Sequence, residues 1–285
     1  RITGGPAVSL STGWEGQTAS YAVAFDRSGL RAATCPASAE GLSDPKLRVL
    51  RLWDLESGRG RTISLARFVD GTWACDRAAF APDGAVFIGG NGGVIRVVAP
   101  EDPNEAVSVE TLYKAGRADF ALSRDGRQLL VWTGRGPMAG VFEELLLFDL
   151  ATRTSRPITT HGRRLWTAAF DPSGRTIVTG DIDGVVRAGP VTGEEPHLLL
   201  GHTAQIISLA VSPDGRWIAS ASDDALHLWP MPDVSKPPLH TLPHAELMAK
   251  LDALTNLRVV RDPASSTGWK LDVGPFPGWK NVPTW

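Results

Sequence analysis

The sequence predicts an all-β chain assembled from repeated four-stranded antiparallel units. Three observations predict it: a motif that recurs at a near-constant interval, alternating apolar residues around each copy, and a scarcity of long helical stretches. The motif is an apolar alternating run closed by a polar tetrapeptide ending in glycine. It reads YAVAFDRSG (21–29), DRAAFAPDG (76–84), ADFALSRDG (118–126), WTAAFDPSG (166–174) and ISLAVSPDG (207–215). The closing glycines, Gly29, Gly84, Gly126, Gly174 and Gly215, are 55, 42, 48 and 41 residues apart. A base period near 41 residues, with insertions, suits a four-stranded blade.

The elements of each unit follow in order. In the first copy Ala22 and Ala24 alternate with Val23 and Phe25, the period-two signature of a first strand. The tetrapeptide then closes a tight turn: Pro presets φ, Asp or Ser bonds the local backbone, and Gly accepts a positive φ. A second strand follows, as in AVFIGG, RTIVTGD and RWIASAS. The third strand reads LRVLRLWDL (47–55), GVIRVVAP (93–100), ELLLFDL (144–150), GVVRAGPV (184–191) and ALHLWP (225–230). A short turn leads to a fourth, as in RTISL (61–65) and HLLL (197–200). One such unit leaves an apolar face that a neighbour must cover. Stacking units around an axis covers it and yields a β-propeller. A two-layer sandwich is the rival, but it gives no reason for the repeat.

Composition narrows the function. Among 285 residues, 29 Lys+Arg oppose 31 Asp+Glu, a net charge of −2. That offers no basic face for nucleic acid and no polybasic membrane anchor. Hydrophobic residues make up 42%, enough for a sizeable core, yet no apolar run is long enough to span a bilayer. No signal peptide is visible, and the start at Arg1 fits a fragment with sequence upstream. Two cysteines, Cys35 and Cys75, are too few for a disulfide scaffold and lie near inner strands. Buried free thiols and a reducing, cytoplasmic setting are expected.

LWDLESG (52–58), Gly201-His202 and SPDG…ASASDDALHLW (212–229) resemble the tryptophan–aspartate (WD) repeat. In that family a His, an Asp, a Ser and a Trp form a hydrogen-bonded set inside the blade. The resemblance places it at His202, Asp223, Ser220 or Ser222, and Trp229. The preceding unit keeps Asp183 but has Gly189 where Trp would stand, and His161-Gly162 inverts the Gly-His order. The likeness spans about residues 20–241. A narrower one covers most of residues 160–285, through THGRRLWTAAFDPSG, GDIDGVVRAGPVTGEEPHLLLGH and LTNLRVVRDPASSTGWKLDVGPFPGWKNVPTW. It is similar to the WD-repeat region that follows the kinase domain in large bacterial, eukaryotic-like serine/threonine kinases. This implies a regulatory C-terminal sensor or docking region, with the kinase upstream.

The ends read differently. Residues 1–19 suit one or two remnant strands of an adjoining blade. WD-type rings usually close with one blade shared between the termini, because pairing end strands removes free edges. Five recognisable blades over 20–241, plus partial strands of a longer ring, are expected; truncation would leave an open arc. Pro230 to Pro243 are too proline-rich to continue a ladder. Leu247, Leu251 and Leu254, with Met248, recur at helical spacing, and LRVVRD and GWKLDVG form a hairpin joined by 263–268. Phe276, Trp279 and Trp285 would pack on the propeller flank or complete a blade; an exposed peptide ligand is the alternative.

Catalytic constellations are missing from the sequence. It has no kinase HRD or DFG, no phosphate loop, no G-x-S-x-G, and no H-E-x-x-H or C-x-x-C. Asp181 to Gly184 is a blade turn rather than a calcium loop, and Asp223-Asp224 is one structural and one solvated carboxylate rather than an acid–base pair. No catalytic residue, metal or cofactor is expected. Core or blade-edge packing explains most of the tryptophans.

Loop lengths point to a binding face. The first-to-second turn is short in every copy, whereas the second-to-third loop is long at 35–46 and 133–142 and nearly absent at Asp223-Asp224. Connections to the next unit vary as well. In an up-and-down blade these two variable connections share one end of the ring, which marks the binding end. Trp73, Lys114, Arg117, Arg135, His161, Arg163, Arg164 and Trp166 lie in or beside them, giving a basic tint suited to an acidic or phosphorylated protein segment. A noncatalytic interaction or sensor scaffold is therefore expected. A propeller hydrolase with a channel site and a structural spacer are the alternatives.

Overall fold

The computed structural model describes residues 20–37, 48–69, 74–102, 104–114, 116–133, 144–254, 257–265 and 268–273. Within them the chain forms five consecutive antiparallel sheets. The first blade comprises β1 (Ser20–Phe25), β2 (Arg31–Ala37), β3 (Val49–Asp54) and β4 (Gly60–Ser64). The second comprises β5 (Ala74–Phe80), β6 (Val86–Asn91), β7 (Gly93–Val98) and β8 (Ser108–Tyr113). The third runs β9 (Ala118–Leu122), β10 (Gln128–Thr133), β11 (Leu145–Asp149) and β12 (Thr154–Pro157). The fourth runs β13 (Leu165–Phe170), β14 (Thr176–Asp181), β15 (Val186–Pro190) and β16 (His197–Leu199). The fifth has three strands, β17 (Ile206–Val211), β18 (Trp217–Ser222) and β19 (Leu226–Pro230). Beyond it lie a 3-10 turn (Leu239–Thr241), α1 (His244–Leu254) and a separate hairpin, β20 (Leu257–Arg261) with β21 (Trp269–Val273). The expectations for residues 1–19, Trp73, Arg135, Phe276, Trp279 and Trp285 lie outside the described residues.

The tetrapeptide turns show why the motif recurs. Gly29, Gly84, Gly126, Gly174 and Gly215 all have φ between 71° and 82°, the left-handed region that only glycine enters cheaply. The preceding polar residue fixes the turn from the side: Asp171 Oδ1 accepts the backbone N–H groups of Arg175 and Thr176 at 2.9 and 2.8 Å.

Apolar residues fill the junctions between blades, and four clusters of buried side chains follow the four junctions. By register, one position of the second strand meets the next blade at every junction, each time with a different chemistry. It is Cys35 against Cys75, Gly89 under the ring of Phe120, Trp132 beside Leu165, and Gly180 under Ile206. The glycines are needed there, since a Cβ on Gly180 would sit 2.5 Å from Ile206 and one on Gly89 2.7 Å from Phe120.

One sequence expectation is corrected here. Cys35 and Cys75 are fully buried but not free; they form a disulfide between the first two blades, with Cα atoms 6.0 Å apart. The ladder of β2 continues three residues past its expected end, so Cys35 pairs with Ala22 and faces the neighbouring blade. The cytoplasmic expectation rested partly on free thiols and loses that support.

Candidate functional site

The antiparallel order places the tetrapeptide turns at one end of the arc and the second-to-third and blade-to-blade connections at the other. The connector end rests on polar sets inside the blades. In the fifth blade the indole N–H of Trp229 donates to Ser220 Oγ at 2.8 Å, and Ser220 Oγ lies 2.7 Å from His202 Nε2. His202 Nδ1 lies 2.6 Å from Ser222 Oγ, which in turn donates to Asp224. One tautomer satisfies the whole chain: Ser220 donates to Nε2, and the Nδ1 proton goes to Ser222, whose hydroxyl ends on the carboxylate. The side-chain bonds from Ser222 and Thr203, with the Thr203 backbone N–H, hold Asp224 well below the usual carboxylate range.

The acid of this set is Asp224, not Asp223. The turn is short, and the second of the two aspartates faces back toward His202 and Thr203. Asp183 is likewise displaced: it is exposed and 3.5 Å from Arg164. Asp181 is the buried acid of that blade, bonding the Asp183 and Val185 N–H groups and the Arg187 guanidinium.

His161, expected on the binding face, is fully buried beneath it, with Nδ1 3.0 Å from Thr179 Oγ1. By register Thr179 holds the position of Ser220, so His161 occupies in the fourth blade the place of His202. The tryptophan is replaced by Gly189, and His161 Nε2 has no hydrogen-bond partner among the described residues. Burial, with the Arg187 charge, lowers its pKa from 6.5 to about 3. The unfolded chain therefore binds a proton that the folded chain refuses. Stability should fall as pH drops from about 6.5, by roughly 1.4 kcal/mol per unit at its steepest. Thermal melts between pH 7 and 5 should show this, and His161→Gln should remove most of the dependence; an unchanged slope would refute the assignment. In the first blade Trp53 donates its indole N–H to Thr34 at 2.9 Å, the same pairing with Thr in place of Ser.

Two ion pairs cross between the second and third blades. Arg117 bonds Asp76 through two nitrogens at 2.8 and 2.9 Å. Arg77 bonds Asp119, which is buried, and its guanidinium lies 5.8 Å from the Trp132 ring centre. Sequence reasoning missed Asp76, Arg77, Asp119 and Thr34, and it named Asp181 and Asp224 without assigning them as the acids of their blades. A signal was present: Arg77 and Asp119 are 42 residues apart and Asp76 and Arg117 are 41, about one repeat.

A bulge recurs on the inner strands of the second, fourth and fifth blades, at Asp76, Trp166 and Ile207. Bulges re-aim side chains at sheet ends. Trp166 is half-buried there, and its carbonyl accepts the Trp132 indole N–H at 3.2 Å. Of the expected binding residues, Arg117 and Arg164 are thus engaged by acids of this chain. Lys114 and Arg163 are exposed and make no ion pair among the described residues.

A groove of about 510 Å³ lies at the opposite end, between the second and third blades. Its walls carry Arg96, Arg127 and Arg153 together with Asp83, Glu110 and Asp149, a balance that favours neither sign of ligand. Among the described residues no cluster of three or more His, Cys, Asp or Glu side chains could hold a metal ion.

The architecture, together with the His–Ser–Trp set, defines WD-type propeller blades. A family comparison matches the WD domain, G-beta repeat, at residues 153–188 and 193–230, which span most of the fourth and fifth blades. These segments are WD repeats, a class that generally serves as a scaffold for protein–protein contacts. A comparison with curated proteins gave no match.

Proposed function

We propose that this chain is a noncatalytic protein-interaction or sensor scaffold, the regulatory part of a larger bacterial signalling protein such as a serine/threonine kinase. The likeness of residues 160–285 to kinase-associated WD regions supports the second half of that reading. The observation that carries the first is the split of connections between the two ends: uniform tight turns at one, unequal connectors at the other. Rigid blades displaying unequal connectors suit recognition of a protein surface, although fold alone assigns no partner. Among the expected binding residues, Lys114 and Arg163 are exposed cations with no ion pair among the described residues, and the half-buried Trp166 follows Arg163 three positions later. An acidic or phosphorylated peptide segment is the ligand class that fits. Among the described residues no cluster of three or more His, Cys, Asp or Glu side chains supports the catalytic reading.

The test is binding of acidic and phosphorylated peptide libraries to the chain, followed by fluorescence polarisation. Lys114→Glu with Arg163→Glu should weaken binding by about tenfold or more, two contacts each contributing about 1 kcal/mol. Undiminished binding by the double variant would remove the charged reading while leaving the scaffold reading in place.

A further inference from the structure

The two ends of the arc expose the surfaces that its own junctions bury. At each internal junction the outgoing face of one blade meets the incoming face of the next. One third-strand position of the outgoing face is Leu50, Val94, Leu145 and Val186 in the first four blades, none more than 3% exposed. In the fifth blade it is Leu226, 71% exposed. Leu228, which matches the fully buried Ala188, is 66% exposed, and Trp217 beside it is exposed as well. The incoming face behaves the same way at the other end. The first-strand position held by Phe80, Leu122, Phe170 and Val211 is half-buried against the preceding blade. In the first blade it is Phe25, 63% exposed, with Val23 at 53%. The exposures show that the two ends do not cover each other.

The geometry points to a head-to-tail interface between copies of this chain, the Leu226–Leu228 face of one seated on the Val23–Phe25 face of the next. The occupant follows from the junctions themselves. An outgoing face is covered, four times over, by an incoming face carrying a large apolar residue at the Phe25 position, and this chain exposes both halves. Apolar surface of this kind is stabilised by removal from water. A joint between two different patches is heterologous, so it leaves one free face at each end of a pair and extends until a ring closes.

The experiment is sedimentation equilibrium of the full 285-residue chain and of two single variants, Phe25→Glu and Leu226→Arg. The unaltered chain should associate in a concentration-dependent manner. Each variant alone should be monomeric, its self-association weakened roughly 30-fold or more by a charge placed in an apolar joint. Mixed, they should form a 1:1 dimer that grows no further, since each blocks a different half. Circular dichroism confirms folding, and Val23→Glu with Leu228→Glu repeats the test should either first variant misfold. A monomeric parent chain, as when its own C-terminal hairpin or another protein covers these faces, overturns the proposal. So does a mixture that fails to pair, or single variants that still self-associate.

Discussion

Replacing Trp132 with alanine should destabilise the fold by about 3–5 kcal/mol, the usual cost of removing a fully packed aromatic ring. The side chain is 1% exposed and sits in the junction between the third and fourth blades with Leu130, Leu145, Leu165 and Ala168. Three losses coincide. The junction gains a cavity, the Trp166 carbonyl loses its indole donor, and the Arg77 guanidinium loses the ring it lies over. Trp132→Phe separates the first loss from the second, because it keeps much of the volume and should cost closer to about 1–2 kcal/mol. Urea unfolding followed by circular dichroism measures both. An alanine variant within 1 kcal/mol of the parent would mean that this junction is not the packed joint described.

Loss of the Cys35–Cys75 bond should cost about 4 kcal/mol, the loop-closure entropy that a cross-link spanning some 40 residues removes from the unfolded chain. Reduction, or Cys35→Ala with Cys75→Ala, should release the first blade from the second at lower denaturant than the remaining junctions. Thiol titration of the denatured, unreduced protein should find no free sulfhydryl. Two free thiols, or a double variant as stable as the parent, would restore the reading made from sequence alone.

Much of the architecture was legible because each blade repeats a local rule. A Pro-Asp-Gly or Pro-Ser-Gly turn between alternating strands needs no knowledge of neighbours, and the His202–Ser220–Trp229 set lies within one blade. What escaped is what depends on neighbours or on fine loop length. Asp223 and Asp224 are equal on paper; the length of the turn decides which one meets His202. His161 looked like a surface cation because Gly-His was inverted, yet it stands 18 residues before Thr179 just as His202 stands 18 before Ser220. The Arg77–Asp119 and Asp76–Arg117 pairs join different blades, so no local pattern announces them, although their separations match the repeat. Cys35 and Cys75 escaped for the same reason: they meet only once two sheets are stacked.

The same junction site, filled by a disulfide, a glycine under phenylalanine, a tryptophan and a glycine under isoleucine, gives the arc a mechanical direction. Its N-terminal seam is locked covalently and its middle is clamped by charge and a large ring, whereas among the described residues no disulfide or ion pair joins the strands of the fourth and fifth blades. A partner gripping connectors near the first two blades would meet a stiff platform. One gripping the fourth and fifth would meet a compliant seam, where tension transmitted through the chain would be felt first.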